Sequence, residues 1–230
     1  MNKQEVVGLL DRSGSMRGKE QDTIGGINKM FENIKNEIKE NDNVKISLKL
    51  FDHEESLIWR SINIKDIREL TEKDFIPRGQ TALFDALGNT LSYFMEKKLM
   101  DPDAYTSCLI YIATDGLENA SKFYNKTALK KLILKAKENY NIDIVYLAAN
   151  QDAILEAGNI GIPQTQAINY NESRNETEAV YAAVSRVVSS QRTGNNIDFL
   201  QAERQASQVT SNNNGSPQMP PLTRQVPLSN

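Results

Sequence analysis

Three apolar runs restrict what this chain can fold into. Residues 6–10, 108–113 and 142–149 hold almost no polar side chains. A strand with one wet face alternates apolar and polar residues, whereas a continuous apolar run of this length fits a strand buried on both faces. Helix-period sequence separates the runs. That alternation predicts parallel strands joined by helical crossovers, with helices covering both faces of one sheet.

The remaining elements fit between these strands. Ile24, Ile27, Phe31, Ile34 and Ile38 form a stripe at spacings of three and four, predicting a helix over residues 19–40. Gly25 and Gly26 lie beside that stripe and are expected to let the helix approach the sheet closely. Residues 44–51 alternate as a half-wet strand, and residues 52–55 form a polar turn. Residues 56–64 then make a hairpin strand, expected at the antiparallel sheet edge. Trp59 is assigned to edge-strand packing, with a partner anchor as the other reading.

Further helices are predicted over 82–99 (Leu83, Leu87, Leu91, Phe94), 126–140 (Leu129, Leu132, Ile133, Ala136), 151–158 and 175–190 (Val180, Ala183, Val184, Val187). A short sixth strand is expected at 167–170. The expected fold class is a Rossmann-like doubly wound α/β sheet. It has six mostly parallel strands, one antiparallel edge strand, and helices on both faces.

With 230 residues, the chain reads as one domain over 1–192 and a tail over 193–230. From residue 195 it is rich in Asn, Gln, Ser and Pro, and disorder is expected, with at most a turn or two of helix over 197–206. The 27 basic and 30 acidic residues leave a net charge of −3, so no basic field invites nucleic acid and no basic run seats the chain on a membrane. No signal peptide or apolar span is visible, so a cytoplasmic location is expected. The single cysteine, Cys108, lies in an apolar run and reads as a small buried hydrophobe. The only histidine, His53, lies in the polar turn, which leaves no Ser–His–Asp arrangement. Oligomeric state is not legible.

The chemistry concentrates in three segments. Asp11, Ser13 and Ser15 follow the first strand; Thr81 precedes the second helix; Asp115 follows the strand that begins near Cys108. Each has an ordinary reading on its own: a helix cap for the first, a turn for Asp115-Gly116. Together they fit something more specific. In strand order 3-2-1-4-5-6 the first and fourth strands are neighbours, and ligands bind at the carboxyl ends where that order reverses. Asp11 and Asp115 would meet there. All the donors are hard oxygens, which suits Mg²⁺ better than zinc or copper, with Mn²⁺ or Ca²⁺ as alternatives.

This spaced set resembles the metal-ion-dependent adhesion site of von Willebrand factor type A domains. By element order the resemblance covers about residues 4–190. It implies that Ser13 and Ser15 ligate the ion directly and that Thr81 does so when a ligand is engaged. Asp11 would hold waters and orient the serines, and Asp115 would bind directly or through water. Gly14 and Gly79 would allow tight loops, Asp85 would complement its helix dipole, and Glu118 and Asn119 carry no assigned role. The function implied is a metal-dependent protein-binding module and not an enzyme. A partner's Asp or Glu would complete the shell, with coupling to the last long helix. One alternative is a phosphoryl-transfer hydrolase of the haloacid-dehalogenase type, which would need an Asp where Ser13 stands. The other is a metal-independent scaffold.

Overall fold

The structure is a computed structural model and describes residues 2–149 and 151–208, the side chains of 151–153 excepted. Its elements are β1 (Asn2–Asp11), α1 (Glu20–Glu37), β2 (Asp42–Phe51), β3 (Glu55–Asn63), α2 (Leu83–Met100), β4 (Ser107–Thr114), α3 (Lys126–Tyr140), β5 (Ile142–Ala148), α4 (Gln151–Asn159), β6 (Ala167–Asn169), α5 (Arg174–Arg192) and α6 (Gln201–Ala206). The sheet has six strands in the order β3-β2-β1-β4-β5-β6. Only β3 is antiparallel, against β2. Fold class and strand order are as the sequence predicts.

The apolar runs are buried on both faces. Val6 and Leu10 of β1 join a core with α1 and α5, while Val7 and Leu9 join a second core with α2 and α3. All of β4 is buried, Cys108 included, and burial raises that thiol well above its ordinary range. Gly8 is required where β1 crosses the first core. A Cβ there would lie 2.4 Å from the Tyr111 hydroxyl and 2.7 Å from Leu48 Cδ1. Trp59 is packed edge-on against Phe31, with ring centroids 5.7 Å apart, and serves the core.

The paired glycines of α1 behave differently from expectation. Gly26 faces α5 and not the sheet: a Cβ there would lie 2.5 Å from the Tyr181 ring and 3.3 Å from Thr177 Cγ2. Gly25 points into open space. The pair therefore sets a helix–helix approach, because Tyr181 occupies the space beside α1. Opposite outcomes are expected on substitution. Gly25→Ala should gain up to about 1 kcal/mol of stability from helix propensity. Gly26→Ala should lose about 1–3 kcal/mol by overpacking. Urea denaturation of the two variants checks both signs, and equal shifts would contradict the assignment.

Residues 193–208 differ from the expected tail. Ile197 and Phe199 are buried and belong to the α5 core. The Phe199 amide donates to the Thr165 carbonyl at 2.9 Å, and Arg204 donates to the Ala167 carbonyl at 2.7 Å. Arg186 of α5 pairs with Glu203 of α6 at 2.6 Å. The packed domain thus runs past 192, because two buried apolar side chains and these polar contacts hold the segment against α5 and β6. Residues 209–230 of the expected tail lie outside the described residues. Among the described residues, no helix is long and apolar enough to cross a membrane.

Candidate metal centre

β1 and β4 lie side by side in parallel register, with Leu10 opposite Ala113. Their carboxyl ends therefore deliver Asp11 and Asp115 to one place, as the strand order requires. Asp11 is buried, and its Oδ1 accepts the Ser13 amide at 2.7 Å. Its Oδ2 accepts the Thr114 hydroxyl at 2.6 Å. A single 3-10 turn, Gly14–Met16, follows Ser13. It brings the Ser13 and Ser15 hydroxyls within 3.1 Å of each other. Ser15 Oγ donates to Asp115 Oδ1 at 2.6 Å, joining the first segment to the third.

Thr81 arrives from a loop bound on both sides. The Gly14 amide donates to the Gly79 carbonyl at 3.2 Å, and the Arg78 amide to the Arg12 carbonyl at 2.8 Å. Gly79 has φ +70°, and a Cβ there would lie 2.2 Å from His53 Nδ1, so this position needs glycine. Gly14 has no such need, its nearest contact being ordinary at 3.4 Å. On the other side Asn119 brackets Thr81: its Oδ1 accepts the Thr81 amide at 2.9 Å, and its amide donates to the Thr81 carbonyl at 3.0 Å.

All five predicted positions therefore meet. Gly116 measures how closely. A Cβ on Gly116 would lie 3.3 Å from Thr81 Oγ1, 3.7 Å from Ser15 Oγ and 3.9 Å from Asp11 Oδ2. One point thus has oxygens from two loops and a strand end around it. The donor set fits a hard divalent ion, and exposed Ser15 opens it to solvent. Burial is the main cause that raises the Asp11 carboxyl to about 6, against the hydrogen bonds from Thr114 and Ser13 that lower it. A cation beside it favours the carboxylate form.

Several residues of this site go unassigned by sequence reasoning. Asp52, placed in a polar turn, is fully buried. Its Oδ2 accepts Arg12 Nε and Arg78 Nε, each at 2.9 Å. Its carbonyl accepts the Ala82 amide at 2.8 Å. It therefore clamps the first segment to the Thr81 loop. Its signal was position: it too follows a strand carboxyl end, that of β2. Asp52, His53 and Glu54 lie close enough to suggest a second metal cluster. Two guanidiniums already neutralise Asp52, which leaves that cluster no need of a metal. Asp85 does more than face a helix dipole: it accepts the amides of Lys122, Phe123 and Tyr124 at 2.7–2.9 Å. Glu118 accepts the Phe84, Ala120 and Ser121 amides at 2.7–2.9 Å, fixing the third segment on the start of α2. Lys19 donates to Asp115 Oδ2 at 2.5 Å and also to Glu172. Burial lowers the Lys19 ammonium's pKa, and the bonds to Asp115 and Glu172 outweigh it, for a net upward shift.

No protein-family model matches the sequence, and no curated protein does. Solved structures do. Proximal thread matrix protein 1 from the mussel byssus is 14% identical, with a TM-score of 0.58 over 81% of this chain and 46% of its own. A further structure of that protein, with zinc occupying its MIDAS motif, gives a TM-score of 0.57 at 14% identity over 82% of this chain and 48% of its own. The vWF domain of the type V pili tip protein Mfa5 from Porphyromonas gingivalis is 11% identical, with a TM-score of 0.61 over 82% of this chain and 95% of its own. This chain thus spans about half the length of the mussel protein. The fold is that of von Willebrand factor type A domains.

Proposed function

We propose that this chain is a metal-dependent protein-binding module. Ser13, Ser15 and Thr81 would hold a Mg²⁺ ion, with Asp11 and Asp115 binding it directly or through water. When bound, the ion acts as a Lewis acid that accepts an Asp or Glu carboxylate of a protein partner. The observation that carries this reading is the convergence of Thr81 Oγ1, Ser15 Oγ and Asp11 Oδ2 within 4 Å of one point at Gly116. The zinc in the mussel protein's motif lends support, as does the protein-binding character of an adhesion site.

The chain's own residues would do three things. Asp11, anchored by Thr114, orients the Ser13 backbone. Asn119 fixes the Thr81 loop, so its hydroxyl meets the serines without reordering. Neutral hydroxyls dilute the negative charge around the ion, which leaves it attractive to an outside carboxylate.

Calorimetric titration with Mg²⁺ and Mn²⁺ tests this. The wild type should bind at one saturable site. Ser13→Ala/Ser15→Ala should bind at least about 100-fold more weakly while keeping its circular dichroism spectrum. A wild type that takes up no ion at high millimolar metal would defeat the reading. Partner binding that survives a chelator would favour the metal-independent scaffold instead.

A further inference from the structure

We infer that Lys19 sets the metal affinity of this site: it is a tethered cation that competes with the divalent ion for Asp115. The inference rests on the metal-site reading above. Asp115 has a nearly buried side chain, 2% exposed. One of its oxygens accepts Ser15 Oγ at 2.6 Å, and the other accepts the Lys19 ammonium at 2.5 Å. The same ammonium also donates to Glu172, which lies in the loop before α5.

Lys19 does not reach this position by accident of a loose surface chain. Its amide donates to the Met16 carbonyl at 3.2 Å, and its carbonyl accepts the Thr23 amide at 3.0 Å. Its backbone is therefore fixed between the serine turn and the first turn of α1. Its side chain is 24% exposed, well covered for a lysine.

The electrostatic consequence follows directly. A fixed positive charge on Asp115 repels a divalent ion and weakens that carboxylate as a donor. Lys19 thus raises the divalent concentration needed for occupancy. Glu172 offers the ammonium a second anchor, so Lys19 keeps a partner when Asp115 turns to an ion. Occupancy is thereby linked to the loop that leads into α5.

The test compares wild type, Lys19→Met and Lys19→Arg in Mn²⁺ and Mg²⁺ titrations, alongside melting curves with and without metal. Lys19→Met should bind at least about tenfold more tightly, because the repelling charge is gone. Lys19→Arg should stay near wild type. Without metal Lys19→Met should melt lower than wild type, having lost its ion pairs. On adding Mg²⁺ it should gain more in Tm than wild type does, as tighter binding requires. A merely damaged fold would weaken binding, so tightening separates the two causes. Unchanged or weaker binding by Lys19→Met beside a wild type that binds would overturn the inference alone. Equal tightening by Lys19→Arg would overturn it too. Failure of wild type and Lys19→Met alike to bind would bring down the metal-site reading together with this inference.

Discussion

An Asp52→Ala variant should lose about 3–5 kcal/mol of unfolding free energy, the cost of breaking a buried ion pair by removing one partner. Asp52 is wholly buried and Arg12 has an 11% exposed side chain, so solvent screens this pair little. Removing the carboxylate leaves the Arg12 guanidinium without its counter-charge. The Arg78 pair adds little to the figure, since that side chain is 48% exposed. The effect should reach the site as well. Arg12 lies between Asp11 and Ser13, and the Arg78 amide donates to the Arg12 carbonyl. Loosening both loops should weaken metal binding although Asp52 is no ligand. Urea denaturation and metal titration of the same variant measure the two effects. Asp52→Asn, which keeps the shape, should fall between. A loss below about 1 kcal/mol would mean that the pair behaves as a surface ion pair, and the clamp assignment would fail.

The second large effect is expected at residues 193–208. Phe199→Ala should cost about 3–5 kcal/mol, because it removes a buried ring from the α5 core. Ile197→Ala should cost about 2–5 kcal/mol at most, since it removes fewer atoms from the same cluster. A chain ended after Arg192 loses both, together with the Arg186–Glu203 pair. That chain also loses a support for the site. Ser207 accepts the Asn171 amide at 2.9 Å and donates to the Asn169 carbonyl at 2.8 Å, beside Glu172, which holds Lys19. The shortened chain should therefore melt lower and show faster amide exchange in the loop before α5. Unchanged stability on ending at Arg192 would restore the domain boundary to 192.

Much of this was legible beforehand. The runs at 6–10, 108–113 and 142–149 point to buried parallel strands, because they are short for helices and alternate with helix-period sequence. The doubly wound order β3-β2-β1-β4-β5-β6, expected of such alternation, then makes β1 and β4 neighbours and brings Asp11 to Asp115. Ser13 and Ser15 needed the rest of the set and the resemblance, because alone their segment reads as a helix cap. Thr81 needed the resemblance, because nothing local ties a threonine before α2 to a strand end seventy residues earlier.

What the sequence by itself determined, then, is the alternation of elements and the residue types at three strand and helix ends. Both are set by local periodicity and by backbone geometry at those ends. Tertiary structure alone decided the rest. Gly26 faces Tyr181 because α5 returns across α1, a contact between residues far apart in the chain. Asp52 became a clamp because β2 lies beside β1, which brings two arginines to a residue that reads locally as a turn. Ile197 and Phe199 folded in because the core of α5 had a place for them, whatever the polar composition around them. Lys19 reached Asp115 through space, across ninety-six positions of sequence. Hydrogen bonds and charges act over a few ångströms, and only the folded chain sets which residues lie that close.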